Sequence, residues 1–175
     1  MLNIKKVALS CALLIGLNAG SAQAQECGEV TITEMDWGSA IIVTQVAKFL
    51  LEQGYVCSVT TVPSASVPAL ASVSETGKTD IITELWTNGA PAYVPLLEAG
   101  KINELTRVLS DGGLEGLFIP VYLAEAHPEL TTIEGVLANP DLVGNRMHNC
   151  PVGWNCQTVA TNVAKGGGFA AAGIE

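Results

Sequence analysis

Between Glu29 and Leu85 the residue pattern alternates between extended and helical runs, and that alternation restricts the fold more than any other feature. Glu29-Val30-Thr31-Ile32-Thr33 alternates apolar and β-branched residues, which predicts a strand. A helix follows, capped by Ser39, with an apolar stripe of Ile42, Val46, Phe49 and Leu50 and with Gly54 as its C′ residue. Residues 56–62 predict a second strand, Val67 to Thr76 a short helix, and Asp80 to Leu85 a third strand. Strand, helix, strand, helix, strand is the signature of an α/β protein with a parallel sheet. Ligands of such sheets bind beyond the carboxyl ends of the strands, and Trp37 and Trp86 each lie just past one.

A second feature is Cys150-Pro151-Val152-Gly153-Trp154-Asn155-Cys156, where two cysteines bracket a turn holding an indole. Bridging so small a loop adds only about 2 kcal/mol in the chain-entropy model, so its value lies in fixing geometry. A helix-compatible run to Lys165 follows, so the N–H groups of Asn155 and Cys156 are expected to open a helix and to receive an anion. An aromatic face beside an anion pocket suits a small zwitterion with a quaternary ammonium at one end and a carboxylate at the other.

The first 24 residues have the layout of a secretory signal: Lys5 and Lys6, an apolar stretch from Val7 to Leu17, and a cleavage site after Ala24. This predicts an exported, periplasmic protein. Removing Cys11 with the signal leaves Cys27, Cys57, Cys150 and Cys156, an even number for an oxidising compartment. Four cysteines permit three pairings; the short spacing favours Cys150–Cys156, which leaves Cys27 with Cys57. The 17 acidic residues outnumber the 8 Lys and Arg, two of which lie in the signal, which excludes nucleic acid and anionic lipid as partners. Hydrophobic content of 49% with 14% charged residues describes a globular chain rather than a disordered one.

Further along, a helix is expected from Pro91 to Gly100, an extended run from Ile102 to Leu109, and a loop over residues 110–113. Leu117 to Leu123 looks β-like but is interrupted by Pro120, which suits an edge strand. Thr132 to Leu137 predicts a helix, and the glycines at 166–168 break the last one. His127 and His148 lack metal-ligand spacing, and no phosphate-cradling or nucleophile-elbow motif occurs, so no metal, cofactor or catalytic residue is expected. Asp36 reads either as a solvated loop acid or as an acceptor for a ligand hydroxyl.

Together, Asp36-Trp37-Gly38-Ser39, Glu84-Leu85-Trp86, Tyr122 ahead of His127-Pro128-Glu129-Leu130, and the bracketed Gly153-Trp154 loop resemble the substrate-binding proteins of glycine betaine/proline betaine ABC importers and their choline-binding relatives. The resemblance runs from about Cys27 to the last residue. It implies a periplasmic-binding-protein-like (type II) fold of two α/β lobes closing on the ligand, about 25–115 and 116–175. Relatives are far longer, so the second lobe is expected to be incomplete. The resemblance also implies an aromatic box for a trimethylammonium group, with Trp86 and Trp154 as walls, Trp37 as a wall found in choline binders, and Tyr122 either a further wall or a core residue. Backbone N–H groups of Asn155 and Cys156 would take the carboxylate. The implied partners are a quaternary ammonium ligand and a membrane permease, with no enzymatic step. Two other readings compete: an exported thiol–disulfide protein using Cys150 and Cys156, against which the absence of C-x-x-C argues, and a non-binding remnant of the same family.

Overall fold

A computed structural model describes residues 27–175; the signal segment, its cleavage after Ala24, and Cys11 lie outside the described residues. Three parallel strands form the sheet: β1 (Gly28–Met35), β2 (Cys57–Ser64) and β3 (Ile81–Ile82), in the order β2-β1-β3. Gly28 pairs with Cys57 and Met35 with Ser64, so the first two strands run in step over their whole length. The Cys27–Cys57 disulfide joins their starts, with Cα atoms 4.6 Å apart. Central β1 is buried at Ile32, Thr33 and Met35, as expected of a strand covered on both faces.

Helix α1 (Gly38–Tyr55) crosses from β1 to β2, but its buried side is not the predicted stripe. Ala40 and Thr44 are fully buried, and Ala47 and Leu51 continue the same face against the sheet. Ile42, Val46, Phe49 and Leu50 point outward, with Ile42 67% exposed. Small side chains let the helix axis approach the strands, and the hydroxyls of Thr44 and Thr83 share a buried hydrogen bond of 2.6 Å there. Bulkier residues would hold the layers apart. Both ends also differ from expectation. Trp37 occupies the N-cap position while Ser39 donates to Glu84, and the left-handed residue closing the helix is Val56 (φ 57°) rather than Gly54.

Helix α2 (Ser66–Thr76) buries Ala69, Leu70 and Val73 and ends at Gly77, whose φ of 64° suits glycine. Strand β3 stops at Ile82, short of the predicted Leu85. The two residues after it turn their side chains into polar contacts, Thr83 with Thr44 and Glu84 with two indoles, and the ladder ends. Helix α3 (Tyr93–Glu98) anchors Leu96 beside Leu70 and Ala90; residues 102–109 pair with no strand.

The predicted β-like run at 117–123 is also absent. Leu117 to Pro120 is irregular, and Pro120 leads directly into α4 (Val121–Ala126), its carbonyl accepting from Ala124 N–H. Proline sets φ where a helix begins and needs no N–H of its own, so a residue that weakens a strand starts a helix here. Helix α5 (Ile133–Ala138) is capped by the Thr132 hydroxyl, which accepts from Gly135 N–H at 3.1 Å. Helix α6 (Asn155–Gly166) begins inside the bridged loop, as predicted, and stops at the glycines. Among the described residues every strand precedes residue 83, and residues 116–175 are helices and turns.

Candidate functional site

The chain leaves β1 at Met35 and β3 at Ile82, so Trp37 and Trp86 emerge on the same edge of the sheet. The bridged loop reaches that edge as well. Gly153 C=O accepts from Val67 N–H (3.0 Å) at the start of α2. Gly153 has φ +95°, and a Cβ there would come within 3.2 Å of the Ala65 side chain. Glycine is therefore required twice, for the backbone angle and for the close approach. Asn149 secures the loop from its other side, accepting from Cys150 N–H (2.7 Å) and donating to the Thr161 hydroxyl on α6 (2.9 Å).

This docking brings Trp154 to Trp37. Their ring centroids lie 4.9 Å apart with an interplanar angle of 63°, an edge-to-face pair. Each of the three indoles donates its N–H to a carboxylate. Trp37 Nε1 and Trp86 Nε1 both donate to Glu84 Oε1, at 2.7 and 3.0 Å, and Trp154 Nε1 donates to Asp36 Oδ1 at 2.7 Å. Ser39 Oγ donates to the same Glu84 oxygen at 2.8 Å. Glu84 is only 5% exposed. The polar edge of every ring is thus held by protein, and an indole so fixed offers a hydrocarbon face with negative quadrupole.

Asn155, the first residue of α6, is buried, and its side-chain amide donates to the Trp86 carbonyl at 2.7 Å. That bond ties the helix start to the segment carrying Trp86. Gly89 allows the same approach, since a Cβ there would collide with Val159 and crowd the Asn155 carbonyl. The N–H groups of Asn155 and Cys156 lie in the first turn, where no helical carbonyl can reach them. Gly113, in the predicted loop, lies against the six-membered ring of Trp86 so closely that a Cβ would sit 2.5 Å from its carbons.

The structure therefore gathers Trp37, Trp86, Trp154, Asn155 and Cys156 at one end of the sheet. Tyr122 is placed elsewhere. It is 73% exposed on α4 and, with Phe118, Leu130, Val136 and Met147, lines a separate cavity of about 670 Å³ that no tryptophan borders. Sequence reasoning missed Glu84 as the acceptor of two indoles and read Ser39 as a helix cap. An acid inside the otherwise apolar run Ile81-Ile82-Thr83-Glu84-Leu85 was the available signal. Asp36, read as a solvated acid or a ligand acceptor, holds Trp154. Among the described residues both cysteine pairs are closed as predicted.

No curated protein matches the chain. The family model for the substrate-binding domain of the ABC-type glycine betaine transport system (OpuAC) matches residues 28–175, from the first residue of β1 to the last of the chain. Members of this family are non-enzymatic solute-binding components that work outside the cytoplasm with a membrane permease. On a match spanning almost all of the described residues, the chain belongs to the family of substrate-binding domains of ABC-type glycine betaine transport systems.

Proposed function

We propose that this solute-binding domain captures a quaternary ammonium compatible solute, glycine betaine first and choline or proline betaine next, and delivers it to its permease. One observation carries the reading: three indoles with carboxylate-anchored N–H groups stand beside the open first turn of α6. A trimethylammonium group has no N–H to donate, so it is recognised by aromatic faces and negative charge rather than by hydrogen bonds. Trp37, Trp86 and Trp154 supply the faces. The N–H groups of Asn155 and Cys156 supply the pole for the carboxylate. Each cation–π contact contributes roughly 0.5 to 2 kcal/mol, so three walls and an anion pocket approach the ~8 kcal/mol of a micromolar ligand. In this reading the chain up to residue 115 contributes one jaw and residues 116–175 contribute to the other.

Titration of tryptophan emission with glycine betaine, choline and proline tests it. Saturation is expected with the two quaternary ligands below the millimolar range, and a weaker response with proline. Trp86→Ala or Trp154→Ala should weaken betaine binding by roughly tenfold or more, about 1.4 kcal/mol per decade. Unchanged affinity in both variants would remove the box assignment.

A further inference from the structure

Glu84 is a buried acid without a basic partner. It is 5% exposed, and its Oε1 accepts from Trp37, Trp86 and Ser39, while Oε2 is buried with no hydrogen-bond partner. The ion pairs among the described residues are Lys48–Glu52 and His127–Glu129, neither of which touches it. A carboxylate taken out of water is costly unless a cation or a full set of donors compensates it. Here three neutral donors crowd onto one oxygen and the second has none.

We propose that Glu84 is the specificity-determining residue of the site, positioning Trp37 and Trp86 together and acting as the counter-charge of a cationic ligand. This rests on the quaternary ammonium reading above. Two effects act in the same direction. The carboxylate field is poorly screened because the group is buried, so it favours a positive charge seated on the adjacent rings. Donation of two indole N–H groups to one anion also shifts electron density into both rings, which strengthens their attraction for a cation. Asp36 acts similarly on Trp154, but it is exposed and water weakens its field. The site therefore selects charge as well as shape.

The test compares glycine betaine with the tert-butylacetate anion, which keeps the shape and the carboxylate but carries carbon in place of the ammonium nitrogen. Affinities are measured calorimetrically on the full, oxidised chain. Glu84→Gln keeps an oxygen for the indoles and removes the charge. The betaine-to-isostere affinity ratio is expected to fall on the order of tenfold to a hundredfold, with isostere binding little changed. Equal loss of both ligands, with the ratio intact, would mean a purely structural role and overturn the proposal while leaving the aromatic box standing. Wild-type protein that binds neither ligand overturns the box reading and the proposal with it. Glu84→Asp keeps the charge and should keep the ratio even where both affinities drop, which tests the idea if the Gln variant does not fold. A folded Asp variant that loses the ratio also overturns it.

Discussion

The two disulfides should separate stability from binding. Cys27 and Cys57 are 30 residues apart and join the starts of β1 and β2; Cys150 and Cys156 are 6 apart and shape the loop that delivers Trp154. In the chain-entropy model the stabilisation grows as 1.5RT ln n, so the longer closure is worth about 1.4 kcal/mol more, roughly 3.6 against 2.2 kcal/mol. Replacing Cys27 and Cys57 together by Ala should therefore cost more stability than replacing Cys150 and Cys156 together. With an m-value of about 1.5 kcal/mol/M in urea, the two midpoints should differ by roughly 1 M. Ligand affinity should show the reverse order. Freeing the short loop loosens Gly153 from α2 and lets Trp154 leave Trp37, whereas the long bridge lies at the opposite end of the strands from the indoles. Urea unfolding followed by circular dichroism gives the first quantity, and betaine calorimetry under native conditions gives the second. A Cys150/Cys156 variant that binds betaine normally, or a Cys27/Cys57 variant that is the weaker binder while still folded, would refute the reasoning.

Three further outcomes follow from the packing. Val56 is β-branched, 53% exposed and left-handed, so Val56→Gly should raise stability by about 1 kcal/mol in urea titrations; a loss would mean that its side chain packs more than its exposure implies. Thr44→Val leaves the Thr83 hydroxyl buried and unpaired and should cost about 1 to 3 kcal/mol, part of which the double change with Thr83→Val restores. The Tyr93 phenol, bonded to Glu104 at 2.7 Å, has its pKa raised by that hydrogen bond first, then by desolvation and the Glu104 charge. Folding therefore holds the proton more tightly than the unfolded chain does: any stabilisation is complete below the ordinary tyrosine range and declines as pH rises through the raised value. Phenolate absorbance should show Tyr93 ionising later than an exposed tyrosine, and Glu104→Ala, which removes both the acceptor and the charge, should remove most of the delay.

Chain order was readable where it depended on local chemistry. The strand–helix alternation, both disulfides, the helix opening at Asn155 and the stop at Gly166 follow from turn residues, periodicity and cysteine spacing. What failed depended on what each element packs against. The stripe Ile42-Val46-Phe49-Leu50 is the more hydrophobic face of α1, yet the sheet accepts the small face because close approach and the Thr44–Thr83 bond favour it. Strand β3 ends at Ile82, and the side chains just beyond it bond to Thr44 and to two indoles, partners distant in sequence that propensity does not reveal. That the tryptophans gather at one end of the sheet was legible from their places after strands and inside the bridged loop. Their shared carboxylate was not, since Glu84 meets Trp37 only across 47 positions of sequence.

The bond between Cys27 and Cys57 also makes β1 and α1 a closed covalent ring that ends at the first residue of β2. A protease cutting anywhere in α1, whose outer side is exposed at Phe49 and Leu50, opens that ring without releasing a fragment. The nicked protein keeps both strands in register and migrates as one species until a reductant is added, when it separates into two. Damage in the surroundings of an exported protein would therefore leave the sheet beneath the indoles assembled, and the cut would be seen only on a reducing gel.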